Sequence, residues 1–256
     1  MRTGNLKPLR IEHKKAGERL DDLGINGIHI LQRKDLYAFS TDAVLLANFT
    51  QVKGAAEHMM DLGTGTGAVP LIVAGKTNIS RIDAVELQEE LADMARRSVL
   101  LNGLEGRINI IRGDIREISQ NFPGESCDIV TSNPPYMTAG KMSPQNTSDL
   151  IARQEIKVSL EDIFKAAKHL LKNGGRLYMV HRPERLCSVM NLARTYKIEP
   201  KLLRFVQPAE DKKANLFLVK FVKGAKEELR FMSNLVIYDK DRNYTRELRE
   251  IYGLEP

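Results

Sequence analysis

The sequence predicts an α/β fold: a mostly parallel seven-stranded sheet with helices on both faces and an antiparallel strand at one edge. Three observations predict it. Strand-like and helix-like patterns alternate from residue 58 onward, as they do where parallel strands are joined by crossover helices. Glycine-rich and acidic motifs fall at the carboxyl ends of successive strand patterns, where such sheets bind ligands. Two late strand patterns lie close enough to pair antiparallel.

The elements follow in order. Leu20 to Gln32 forms a short hairpin with Asn26-Gly27 as its turn, because both residues tolerate positive φ. Ser40 or Thr41 caps a helix whose apolar residues are Val44, Leu45 and Leu46. His58 to Asp61 is the first strand of the main sheet, Gly63 to Gly67 a tight loop, and Ala68 to Ala74 the start of the next helix. Arg81 to Glu86 is the second strand, and Gln88 to Asn102 a longer helix ended by Gly103. Ile108 to Ile111 and Cys127 to Thr131 are the third and fourth strands. A polar loop spans 137–148, and a helix from Ile156 to Leu171 buries Phe164, Ala167 and Leu171. Asn173-Gly174-Gly175 stops that helix before the fifth strand, Arg176 to Val180. Pro183 enters the first turn of a helix reaching Tyr196. Lys201 to Val206 and Leu216 to Val222 are the last two strands, separated by Pro208 and a charged turn. Residues 1–50 form a basic arm, hairpin and helix packed on the core, and 51–256 form the main domain.

At 256 residues with 42% hydrophobic and 28% charged residues, the chain is long enough to bury a core without disulfides or metal. The two cysteines, Cys127 and Cys187, predict reduced thiols in a cytoplasmic protein. No apolar stretch has signal-peptide or membrane-spanning form, and the five histidines lack zinc-ligand spacing, so no metal is expected. The net charge of +6 fits a nucleic-acid partner without establishing one. Residues 1–20 carry six basic side chains against two acids, either a solvated tail or an arm that neutralises phosphates. Arg10, Lys14 and Lys15 are the better substrate-contact candidates there. Lys141 and Arg153, in or after the polar loop, are further ones.

Asp61-Leu-Gly-Thr-Gly-Thr-Gly67 joins the first strand to its helix. Gly63, Gly65 and Gly67 permit close backbone approach or sharp turning, and the strand before and helix after favour a cofactor loop over a plain turn. The loop lacks the Gly-Lys-Ser/Thr ending of a nucleoside-triphosphate site. Glu86, 25 positions after Asp61, stands where a carboxylate accepts hydrogen bonds from both ribose hydroxyls. Its alternative is a solvated strand-end acid. Asp114 suits an adenine amine but also a helix cap. Ala68 stands where the dinucleotide fingerprint has its last glycine, which leaves NAD open until the fourth strand is read.

That strand ends in Ser132-Asn133-Pro134-Pro135-Tyr136. The prolines hold Asn133, the Pro134 carbonyl and Tyr136 in a stiff turn. The Asn133 side-chain oxygen and the Pro134 carbonyl can each accept one N–H of a conjugated amine, aligning its lone pair and stabilising developing positive charge. Tyr136 offers a face on which a planar substrate stacks. No base, covalent nucleophile or metal is required.

With these motifs the chain resembles the class I S-adenosylmethionine-dependent methyltransferases, whose fold is Rossmann-like. It looks more specifically like the bacterial tRNA(Val) adenine-N6 methyltransferase family. The likeness runs through Phe39 to Leu46, Asp61 to Gly67, Ile82 to Glu86, Gly113-Asp114 and Ile129 to Tyr136. It implies S-adenosylmethionine near Asp61, Gly63, Gly65, Glu86 and Asp114, with Asp42 at the pocket edge, and adenine N6 near Asn133 and Tyr136. It also implies the anticodon-adjacent adenosine of a valine tRNA, held by its anticodon stem-loop, with no obligate protein partner. Protein-glutamine and DNA methylation share the same motif. An RNA-binding scaffold without catalysis is the non-enzyme alternative.

Overall fold

The computed structural model describes residues 14–33, 41–55, 57–135 and 158–254. Arg10, Ser40, Tyr136, Lys141, Arg153, Ile156 and the loop 137–148 lie outside them.

A hairpin of β1 (Glu18–Asp22) and β2 (His29–Arg33) precedes helix α1 (Thr41–Phe49). Asn26 and Gly27 both take positive φ, 48° and 69°. The Ile28 amide closes on the Ile25 carbonyl at 2.9 Å, so the turn is of the primed type that suits twisted strands. The outer edge of β2 would expose unpaired backbone, but α3 (Glu89–Leu101) covers it. Asn102, at the end of α3, accepts from the His29 amide and donates to its carbonyl, while Ser98 accepts from the Leu31 amide. Glu18 receives both Arg97 Nη1 and Nη2, at 2.7 and 2.6 Å.

The main sheet contains β3 (His58–Leu62), β4 (Arg81–Glu86), β5 (Ile108–Arg112), β6 (Cys127–Ser132), β7 (Leu171–His181), β8 (Ile198–Ala209) and β9 (Leu216–Lys223). These are the seven predicted strands, parallel except for β9. Two short strands follow, β10 (Arg230–Phe231) and β11 (Leu235–Tyr238), both parallel to β8. The sheet is therefore nine-stranded, in the order β10-β8-β9-β7-β6-β3-β4-β5 with β11 also on β8. Leu216–Val222 thus does not end the strand series, and antiparallel β9 stands inside the sheet between β7 and β8. The order reverses between β3 and β6, which sets the ligand-binding crevice at their carboxyl ends.

On one face pack the hairpin, α1, α2 (Ala68–Lys76), α3 and α7 (Arg246–Ile251), through buried residues such as Ile30, Val44, Leu71, Ala95 and Leu248. The hairpin and α1 therefore share one apolar core with the sheet. On the other face lie α4 (Ile118–Asn121), α5 (Leu160–Leu170) and α6 (Leu186–Thr195), through Ile118, Phe164 and Val189. Helix α5 begins at Leu160 rather than Ile156, because Ser159 and Asp162 form a reciprocal capping box that satisfies two amides at that point. Pro183 opens a 3-10 turn that leads into α6.

Candidate active site

The motifs meet at the carboxyl edge of β3, β4, β5 and β6. After β3 the chain folds back: the Gly63 and Thr64 amides both donate to the Val85 carbonyl of β4, and Gly67 closes on Thr64. This path needs positive φ at Gly63, Gly65 and Gly67, 73°, 59° and 88°, a region that L side chains rarely adopt. A Cβ at Gly63 or Gly65 would meet no protein atom within 4 Å, so these two leave a bare backbone surface open to a ligand. Gly67 differs. Its Cβ would lie 3.2 Å from that of Ala95, so this glycine lets α2 pack closely on α3 and has a structural role.

Glu86 ends β4 and is only 6% exposed. Its Oε2 accepts from the Gly65 amide at 2.8 Å and its Oε1 from the Gln88 amide at 2.9 Å. Burial raises its pKa, while the amides of Gln88, Gly65 and Leu87 oppose the rise. Each oxygen keeps further acceptor capacity for a diol. Asp61 is 2% exposed, and its Oδ1 accepts the Thr131 hydroxyl at 2.5 Å. Burial raises its pKa to about 6; the Thr131 and Thr64 hydroxyls pull it down and Glu86 pushes it up. Two carboxylates thus sit close together in low dielectric, with no cation paired to either among the described residues. A cationic ligand would offset that cost.

The acceptor turn is anchored directly to this loop. Ser132 Oγ donates to the Leu62 carbonyl at 3.1 Å, and Thr131 holds Asp61 from the preceding position. Asn133 is half-buried, Pro134 buried and Pro135 exposed. Sequence reading missed Thr131 and Ser132, although two hydroxyl residues after Ile129-Val130 were a visible break in an apolar strand. It also missed Gln32, fully buried, whose Nε2 donates to Thr66 in the glycine loop at 3.3 Å. A glutamine directly after the apolar pair Ile30-Leu31 was the available signal.

The remaining predicted residues behave variously. Asp114 caps the 3-10 turn 115–117 by accepting from the Arg116 amide, and its carboxylate also pairs with the Arg116 guanidinium. The Arg116 hydrogen bond lowers its pKa, so Asp114 is both cap and ionised acceptor just after β5. Asp42 lies in the first turn of α1, half-buried. Lys14 is exposed, whereas Lys15 Nζ binds Asp93 at 2.7 Å. Lys15 thus already has a carboxylate partner, in an exposed pair. Cys127 is buried and Cys187 exposed, both as free thiols. Among the described residues, no three His, Cys, Asp or Glu side chains form a group that could hold a metal. No helix there is long and apolar enough to cross a membrane.

Residues 39–197 match the methyltransferase small domain family. The chain belongs to that family. The match runs from α1 through the glycine loop to the acceptor turn and leaves out Gln32. The chain is an S-adenosylmethionine-dependent methyltransferase, and its residues fit that cofactor: a bare glycine backbone, a buried acceptor pair on Glu86 and uncompensated negative charge. The chain is 28% identical over 214 residues to a tRNA1(Val) (adenine(37)-N6)-methyltransferase of Bacteroides fragilis, covering 83% of this chain and 89% of that one. A protein of the same name from Tolumonas auensis is 33% identical over 153 residues, 59% of this chain and 62% of that one. Among solved structures, a predicted O-methyltransferase of Agrobacterium tumefaciens superposes with a TM-score of 0.68 at 22% identity, covering 84% of this chain and 98% of that one. That likeness establishes the fold.

Proposed function

We propose that this methyltransferase acts on the N6 amine of an adenosine in tRNA, at the anticodon-adjacent position of a valine tRNA, in the cytoplasm. The observation that carries the reading is the rigid Asn133-Pro134 turn, tied through Ser132 to the backbone of the cofactor loop. The names of the curated relatives support the choice of acceptor.

Glu86 would hold the ribose hydroxyls, the backbone at Gly63 and Gly65 would lie against the cofactor, and Asp61 would supply negative charge near its sulfonium. When bound, S-adenosylmethionine supplies an activated methyl group. The protein's task is alignment. The Asn133 side-chain oxygen and the Pro134 carbonyl accept the two N–H groups of the amine, which orients its lone pair and favours the charge that builds on nitrogen during attack. The proton then leaves from a cationic nitrogen and needs no dedicated strong base. Tyr136 is the proposed stacking partner of the adenine. A base in a flexible loop leaves its stack at lower cost than one inside a duplex, so the anticodon stem-loop suits this arrangement.

Isotopically labelled S-adenosylmethionine, incubated with separate pools of tRNA, DNA and protein extract from cells lacking the gene, tests the reading. Labelled N6-methyladenosine in tRNA is expected. Label in protein as N5-methylglutamine, with unlabelled tRNA, would overturn the acceptor and leave the methyltransferase assignment intact.

A further inference from the structure

A row of residues crosses the sheet on the face that carries α1. Register places Thr131 of β6 beside Tyr178 of β7, Tyr178 beside Lys220 of β9, Lys220 beside Leu202 of β8, and Leu202 beside Arg230 of β10. Directly paired residues project to the same face of a sheet. Lys220 Nζ donates to Gln51 Oε1 at 3.2 Å, which brings the segment after α1, including Lys53, over this row. Arg176, two positions before Tyr178, shares its face.

The charge here is unbalanced. Arg176 pairs with Glu57, and Lys201 and Arg230 share Glu228. The side-chain ammonium groups of Lys53 and Lys220 have no carboxylate partner among the described residues, although the Lys53 backbone amide donates to Glu57. Burial lowers the Lys220 pKa, and Arg176, Lys53, Arg230 and Lys201 lower it further. The cations crowd one another, and an anion would relieve them. A second observation points the same way. Arg176 and Tyr178 are 5% and 0% exposed, yet Arg176 Nη1 and the Tyr178 hydroxyl have no hydrogen-bond partner. Buried donors of this kind are costly to leave unmet.

We propose that the Lys53–Lys220–Arg230 row is a docking site for RNA backbone phosphates, separate from the turn that receives the target base. The proposal rests on the tRNA reading above. Two inter-strand steps, about 10 Å at ordinary strand spacing, separate Lys220 from β6, the strand that leads to Asn133, and RNA flanking the target base would extend from that turn over the row. Lys53 and Lys220, whose ammonium groups lack carboxylates, and Arg230, whose Glu228 is shared with Lys201, bind such a polyanion through counterion release, whatever its sequence.

The test uses the full chain and a Lys53→Gln/Lys220→Gln double variant. Filter binding to tRNA across a salt series gives the affinity and its salt slope, with cofactor affinity and melting temperature as controls. The expected result is tRNA binding about tenfold weaker at low salt, and a slope of log K against log salt smaller by roughly one to two. Turnover at saturating tRNA and cofactor affinity stay at wild-type values. An unchanged slope and affinity would overturn the site, as would an equal loss in Lys168→Gln, which alters an exposed lysine on the opposite face. Wild-type methylation of tRNA with unaltered binding in the double variant rejects the docking row alone. A wild-type protein that neither binds nor methylates tRNA rejects both readings.

Discussion

Strands β3 and β4 carry a buried charged cluster at each end, and the two ends are built on opposite principles. At the amino end, His58 Nε2 meets Asp83 Oδ2 at 2.7 Å, and the same carboxylate receives Arg81 and Asn109. Burial alone would lower the His58 pKa, but the Asp83 hydrogen bond, assisted by Cys127, raises it to about 9. Burial would raise Asp83, but His58 and Asn109 bring it down to about 2. Both groups are held in their charged forms by each other. Three residues further along the same strands, Asp61 and Glu86 are both pushed upward. A satisfied pair stabilises a fold, whereas an unsatisfied one is retained for what it binds. One end of the sheet is thus internally paired in charge, and the other is left in need of a partner.

Breaking the two ends should give opposite phenotypes. The largest effect is expected from Glu86→Ala, which removes a charged acceptor for two hydroxyls. Cofactor affinity should fall by roughly 100-fold or more, at about 1.5–3 kcal/mol per hydrogen bond to a charged group, with a smaller loss of melting temperature than in Asp83→Ala, because relief of the buried charge offsets the Gly65 and Gln88 amides left without Glu86. Calorimetric titration and thermal denaturation check this together. Asp83→Ala should do the reverse, lowering stability by about 3 kcal/mol through loss of a buried partner while cofactor affinity stays within about twofold.

Two pH effects sharpen the contrast more gently. The raised His58 pKa contributes stability that is fully present below 6.5 and lost as pH rises through about 9. Asp83 contributes stability present above 3.8 and lost as pH falls towards about 2. Urea denaturation should therefore show an alkaline loss between these His58 values that is absent in Asp83→Ala. Asp61 has the opposite sign. Its raised pKa makes the ligand-free fold less stable as pH rises from 3.8 through about 6. Affinity for the cationic cofactor should increase over that same range, and Asp61→Asn should flatten the increase.

Much of this arrangement was legible in the sequence, because short-range physics decides it. The Asn26-Gly27 turn, the glycines after Asp61 and the acid ending β4 each need a particular residue at a particular place, and the structure shows the reason for each. What escaped depends on contacts distant in sequence. Nothing local marks Gly67 as the glycine that touches Ala95, or Lys15 as the partner of Asp93. Strand β11 was missed for a different reason. Leu235-Val-Ile-Tyr238 is an ordinary strand run, but only four residues long and set in a charged segment, and its pairing with β8 is what gives it an identity. The early start predicted for α5 followed apolar spacing past the Ser159 capping box that fixes the true one.

On this reading the carboxyl edge divides cofactor from acceptor, with Asn133 on the acceptor side. The most direct test measures turnover and cofactor affinity of Asn133→Ala in parallel, scoring N6-methyladenosine in tRNA by mass spectrometry. Turnover should fall by about 100- to 1,000-fold, the scale of losing one preorganised hydrogen-bonding group, with cofactor affinity within about threefold of wild type. Near-normal N6-methyladenosine formation, or a loss of cofactor affinity as large as that in Glu86→Ala, would contradict it.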